Sequence, residues 1–182
     1  ATGNTVVAKP SEHTSGSLVE LARIAVEEGG LPAGVLNVIV GRGDVIGPAM
    51  ANHPEMRKIS FTGSVRVGQE LGRIAADRIL PLTLELGGKS PQIVFEDADQ
   101  RLAIESIVNA IVQNAGQTCS AGSRVLVQRS IFDTFITDLA RRVAAVRVGP
   151  HGDDLDCGPV ISAGQLDRVR GFLAQAKSDG VP

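Results

Sequence analysis

The chain predicts an α/β fold of parallel strands covered by helices. Two observations carry this. Strand-like and helix-like segments alternate from Val6 to Arg78, and parallel strands joined by covering helices are the natural solution for that order. The apolar residues are aliphatic: five Phe, no Trp and no Tyr stand in a chain that is 43% hydrophobic. The core must therefore be mostly Ile, Leu, Val and Ala, as in an α/β sheet.

Each element has a local reason. Residues 6–9 read as a short strand ended by Pro10. Leu18, Leu21, Ala22, Ala25 and Val26 fall on one face of a helix, which Gly29-Gly30 and Pro32 stop. Residues 35–40 form a continuous β-rich run, expected as a buried strand. Gly41, Gly43 and Gly47 lead into a short helix at 46–52, and residues 58–61 are the next strand. Thr62-Gly63-Ser64 turns into a helix to about Arg78, with Leu71, Ile74 and Ala75 inward. A doubly wound nucleotide-binding sheet is the expected architecture.

Residues 82–86 are another strand, and Gly87-Gly88 marks a boundary between residues 1–88 and 89–182. A strand at 91–95 follows. Ile104, Ile107, Val108, Ile111 and Val112 make a helical face that starts near an acidic cap at Asp99. Residues 116–122 form a loop carrying Cys119, followed by a strand at 124–128. Phe132, Phe135, Ile136, Leu139 and Val143 line one more helix. Leu166, Val169, Leu173 and Ala176 suggest a last one, closed by Gly180.

Composition narrows the function. A net charge of −2 leaves no nucleic-acid footprint. No stretch approaches the ~20 apolar residues that span a membrane. Cys119 and Cys157 are too few for a disulfide framework, and His13, His53 and His151 lack metal-ligand spacing, so no metal site is expected. The reading is a reduced cytoplasmic protein. The chain opens on Ala1 and runs almost at once into a strand, as if cut from something longer.

Two residues stand out as chemistry. Cys119 sits between Gly116-Gln117-Thr118 and Ser120-Ala121-Gly122, where small residues leave room for a substrate. A single cysteine is more often a small core hydrophobe, but those usually sit inside apolar runs. Glu85 lies between Leu84 and Leu86; burial there would raise its pKa towards general-base use, the alternative being an edge-strand Glu facing water. Lys9, Ser11 and Glu12 follow the first strand at the edge where open α/β sheets bind ligands, or else form a solvated loop with a helix cap. The Gly41, Gly43, Gly47 spacing departs from the dinucleotide fingerprint, and turn glycines explain it equally well. Gly63 and Ser64 end a strand and open a helix, where backbone N–H groups favour a pyrophosphate or a plain cap.

Taken in order, the motifs VVAKPSE (6–12), LPAGVLNVIVG (31–41), FTGS (61–64), LELGGKSP (84–91) and GQTCSAGSR (116–124) resemble the NAD(P)-dependent aldehyde dehydrogenase superfamily across essentially all 182 residues. The resemblance implies part of a Rossmann-like cofactor domain over 1–88, followed by part of an α/β catalytic domain over 89–182. It implies that Cys119 attacks an aldehyde and that Glu85 activates the water that releases the acid. It implies cofactor contacts from Lys9, Ser11, Glu12, Gly43, Gly63, Ser64, Leu86 and Gly87. NAD is the expected cofactor, because the Glu12 carboxylate repels a 2′-phosphate; NADP stays possible because Lys9 offsets it. The full-length enzyme would be a homo-oligomer acting on a small aldehyde. The family's oxyanion-hole Asn and its second Glu lie outside these residues, so this chain alone is expected to be inactive. A nucleotide-binding or structural module, and a coenzyme A-acylating dehydrogenase, are the alternatives.

Overall fold

A computed structural model describes residues 3–181 of the chain. The chain divides into two units, Ala1–Leu86 and Gly87–Pro182.

The first unit holds two strand–helix–strand crossovers. β1 (Val6–Ala8) leads through α1 (Gly16–Glu27) to β2 (Leu36–Val38), and the strands pair in parallel with Val6 opposite Leu36. α2 (Gly43–Asn52) then connects to β3 (Ile59–Gly63), α3 (Val65–Arg78) and β4 (Leu82–Leu86). β3 and β4 also pair in parallel, with Thr62 opposite Glu85 and Gly63 opposite Leu86. Parallel pairing requires a crossover of this length, which each intervening helix supplies.

The core of this unit is small. Ala51, Ile59, Leu71 and Ala75 are buried, with Phe61, Val67 and Leu82 packed around them. Leu71 and Ala75 are four residues apart on α3, so one helical face covers the sheet. The Arg78 guanidinium donates to the carbonyls of Ala51 (2.6 Å) and Pro54 (3.3 Å), tying the end of α3 to the end of α2.

The second unit repeats the crossover once. β5 (Pro91–Val94), α4 (Gln100–Val112) and β6 (Arg124–Val127) place Pro91 opposite Arg124 in a parallel pair. α5 (Phe132–Ala144) and α6 (Ala163–Ser178) follow. Phe135 on α5 is completely buried against Val94 and Ile107. Asp99 caps α4 as expected, its carboxylate accepting from the Leu102 N–H at 3.0 Å.

Four expectations are corrected. Among the described residues, the strands form three separate two-stranded ladders rather than one doubly wound sheet. Alternation of strand and helix specifies the parallel pair within each crossover; the order of pairs depends on edge contacts that local pattern does not encode. Thr62 and Gly63 carry β3 two rungs beyond the strand end expected at Phe61, while Ser64 opens α3 as expected. Leu21 on α1 is exposed although its helical phase points it inward. On α6, Leu166, Val169 and Leu173 are likewise exposed, and the helix buries no residue. An apolar stripe reports the face a helix has available to cover, and packing depends on what lies opposite.

Candidate active site

The thiol loop is built at the end of α4. Asn114, Ala115 and Gly116 take left-handed conformations in succession, with φ of 52°, 54° and 72°. Glycine adopts this freely, asparagine tolerates it, and alanine pays about 1–2 kcal/mol. Reciprocal bonds hold the turn closed. The Asn114 amide donates to the Gln117 carbonyl (3.2 Å), and the Gln117 side-chain amide donates to the Asn114 carbonyl (3.0 Å).

Beyond the turn, Ala121 N–H donates to the Thr118 carbonyl at 3.1 Å, bending the chain around Cys119. Gly122 N–H reaches the Ala110 carbonyl on α4 at 3.3 Å, and the Gly122 carbonyl accepts from Gln92 Nε2 at 2.9 Å. Ala121 and Gly122 are buried, whereas Cys119 and Ser120 are exposed. The loop is therefore anchored on its downstream side and presents a free thiol outward.

Residues 88–92 brace this loop. A methyl group on Gly88 would lie 3.1 Å from the Cys119 carbonyl oxygen. Arg124 Nε donates to the Lys89 carbonyl at 2.8 Å, beside the ladder pair it forms with Pro91.

Glu85 belongs to the first unit. It is exposed, flanked in β4 by half-buried Leu84 and Leu86. Of the two readings open for Glu85, burial and a strand position facing water, the structure gives the second, because successive side chains of a strand alternate between faces. Leu86 packs towards Gly68 on α3, where a methyl group would lie 2.8 Å from its Cδ2.

At the end of β1, Lys9 and Glu12 meet. The Lys9 ammonium donates to the Pro10 carbonyl at 2.6 Å and lies 3.5 Å from Glu12 Oε2. Glu12's own backbone N–H first, helped by the Lys9 ammonium, holds its carboxyl below the usual range against an opposing desolvation. Gly43 adjoins this pair: a methyl group there would sit 3.9 Å from Lys9 Nζ. Ser11 Oγ accepts from the His13 N–H (3.3 Å), so it shapes the loop rather than capping α1, whose N-cap position is Ser15. Ser64 caps α3, accepting from the Val67 N–H at 3.4 Å. Gly63 pairs with Leu86 across the ladder, and Gly87 opens the second unit.

Two contributors escaped the sequence reading. Arg42, the residue before α2, bonds Asp44 (2.6 Å) and lies within electrostatic reach of Glu12. Gln92 anchors the thiol loop from 30 residues upstream. The Arg42–Asp44 bond is local, but the reach of Arg42 to Glu12 and the Gln92–Gly122 bond cross the fold and carry no local signal.

These features define a class: an α/β protein of parallel strand pairs, with charged and capping groups at the strand ends and an exposed thiol on an ordered loop. The particular family follows from comparison with known proteins. The chain belongs to the aldehyde dehydrogenase family, whose model matches residues 1–182. It is 43% identical over 181 residues to the lactaldehyde dehydrogenase of Escherichia coli (strain K12), covering 98% of this chain and 38% of that protein. A solved structure from Burkholderia cenocepacia, provisionally described as an aldehyde dehydrogenase, is 51% identical with a TM-score of 0.94, over 99% of this chain and 38% of that one. The betaine aldehyde dehydrogenase of Staphylococcus aureus, solved in complex with NAD+, is 40% identical with a TM-score of 0.93, over 98% of this chain and 36% of that one. The chain thus spans a little over a third of the length of the relatives it matches.

Proposed function

We propose that this chain supplies the nucleophile, the base and part of the cofactor site of an NAD-dependent aldehyde dehydrogenase that makes a carboxylic acid. The observation that carries the reading is an exposed Cys119 on a loop anchored on its downstream side, in a chain of that family.

The residues at the strand ends fit a dinucleotide. A ribose diol needs an acceptor and a donor, and the ionised Glu12 beside the Lys9 ammonium offers both. The first N–H groups of α3, behind the Ser64 cap, have no partner within the helix and favour a phosphate. In this reading Gly43, Gly63, Leu86 and Gly87 complete the approach to the cofactor, and Ser11 orders the loop that carries Glu12. NAD+, when bound, supplies the hydride acceptor.

The chain's own residues do the rest. Cys119, as thiolate, adds to the aldehyde carbon and gives a tetrahedral thiohemiacetal, whose oxyanion is met by the Cys119 backbone N–H. Loss of hydride from that carbon leaves a thioester on Cys119. Glu85 takes a proton from water, the water attacks the thioester, and the acid leaves as the thiol is restored. Residues 1–88 are the cofactor part and 89–182 the nucleophile part of this scheme. Both Cys119 and Glu85 are open to solvent here, and we place turnover in a protein of the relatives' length. Cytoplasmic location and homo-oligomeric assembly belong to the same proposal.

The test is NADH formation from a panel of aldehydes by the full-length protein. Cys119→Ala should abolish it. Glu85→Gln should leave a single stoichiometric burst of NADH and remove steady turnover; unchanged turnover in either variant overturns the assignment.

A further inference from the structure

Gln117 makes more connections than any neighbour of the thiol. Its side-chain amide donates to the Asn114 carbonyl (3.0 Å), and its carbonyl accepts from the Asn114 amide (3.2 Å). Its Oε1 accepts from the backbone N–H of Ile161 at 3.0 Å, across 44 residues of sequence. Ile161 immediately precedes Ser162, the residue that caps α6 by accepting from Gln165 N–H at 3.2 Å. One amide therefore joins three things: a turn of three left-handed residues, the loop that bears Cys119, and the entry to α6.

We infer that Gln117 is a positioning residue for Cys119, fixing the thiol loop by bonding Asn114 on one side and Ile161 on the other. This rests on reading Cys119 as the nucleophile. The amide is suited to the task because its two ends differ: the oxygen meets an N–H donor and the nitrogen meets a carbonyl. A carboxylate would face the Asn114 carbonyl with no proton to give, and a hydrocarbon would satisfy neither partner. Nothing else on the loop's upstream side reaches α6 among the described hydrogen bonds, whereas Gln92 and Ala110 hold its downstream side at Gly122. Without the Gln117 side chain the turn keeps the bond from the Gln117 N–H to the Asn114 carbonyl (3.1 Å) and that from the Asn114 amide to the Gln117 carbonyl (3.2 Å), but loses its side-chain bond to Asn114 and its link to Ile161, so the segment before Cys119 gains freedom.

The experiment is site-resolved alkylation by iodoacetamide in the full chain, followed by mass spectrometry at Cys119 and Cys157, with a synthetic peptide of residues 114–122 as the unfolded reference. In the parent, the Cys119 rate should differ from that of the peptide. In Gln117→Met it should move about 3- to 10-fold towards the peptide value, as expected for loss of a contact of ordinary coupling strength. The Cys157 rate and the far-ultraviolet circular dichroism should stay as they are, which a general loss of structure would not allow. Ile161→Pro removes the donor instead of the acceptor, leaves the thiol loop chemically untouched, and should move Cys119 in the same direction. It carries the test if Gln117→Met does not fold. A parent-like Cys119 rate in the folded variants overturns the positioning role alone. A parent rate equal to the peptide's overturns the nucleophile reading as well.

Discussion

Gly88 lies against the carbonyl oxygen of Cys119: a methyl group at residue 88 would stand 3.1 Å from that oxygen, closer than backbone atoms settle without moving. Gly87, its neighbour, has nothing within 4 Å of the same construction. Neither glycine has a positive φ, so space alone separates them. Gly88→Ala is expected to lower stability by about 1–2 kcal/mol through overpacking, roughly 2–8 °C in Tm. Gly87→Ala should be neutral or slightly stabilising, by up to about 1 kcal/mol, because it restricts the unfolded chain. Thermal melts of the two variants side by side check this, and equal losses would contradict it.

The two side-chain caps of the βαβ helices differ in quality. Asp99 accepts from Leu102 N–H at 3.0 Å and brings a negative charge to the start of α4. Ser64 accepts from Val67 N–H at a longer 3.4 Å and brings none. Asp99→Ala should cost about 1–2 kcal/mol and Ser64→Ala about 0.5 kcal/mol. Denaturant unfolding of the two variants gives the comparison, and the reverse order would show that cap geometry does not set the difference.

Asp156 closes a surface turn with Arg147, accepting from its backbone N–H (3.0 Å), Nε (3.1 Å) and Nη2 (3.2 Å). The Arg147 guanidinium, and then its backbone N–H, hold the Asp156 carboxyl down to about 2. The folded value lies below the unfolded one of about 3.9, so the pair's contribution is fully present above that pH. It is lost as pH falls from there through about 2. The Asp156 carboxyl carbon should titrate in that low range by NMR, and Arg147→Gln should return it towards ordinary aspartate. A midpoint near the ordinary value in the parent would break the argument.

Glu12 stands among two cations, Lys9 at 3.5 Å and Arg42 within electrostatic reach. Glu12→Ala leaves both cations without the carboxylate that, in our reading, opposes a 2′-phosphate. In the full-length protein this substitution should raise the ratio of NADP to NAD affinity by roughly tenfold, about 1.4 kcal/mol. Titration of both cofactors by fluorescence measures it, and an unchanged ratio would assign the preference elsewhere.

Much of this was legible in the residues because the governing interactions are local. The Asp99 cap, the face of α3 and the strand at Leu82–Leu86 follow from spacing and capping chemistry within a few positions. Glu85 shows where local reading stops short: apolar flanks leave burial and exposure both open, and strand alternation turns it outward. Leu21 on α1 and the exposed face of α6 fail for a related reason, since a stripe cannot name its partner. The Gln117–Ile161 and Gln92–Gly122 bonds span 44 and 30 residues, and only the folded chain brings their ends together. Cys119, Lys9 and Glu12 stand out by position, on a small-residue loop and after the first strand; the roles proposed for them come from family likeness, which carries long-range information that composition and periodicity lack.

One notch has wider reach. Gly68 leaves α3 without a side chain where Leu86 arrives, and a methyl group there would come within 2.8 Å of the leucine. The helix whose first turn faces the phosphates in our reading is thereby keyed to the strand that ends one rung beyond Glu85. Filling the notch would press on the end of the Leu86 side chain, the residue next to Glu85, so whatever part of that push reaches the backbone of β4 should disturb grip on the dinucleotide and aim of the carboxylate together.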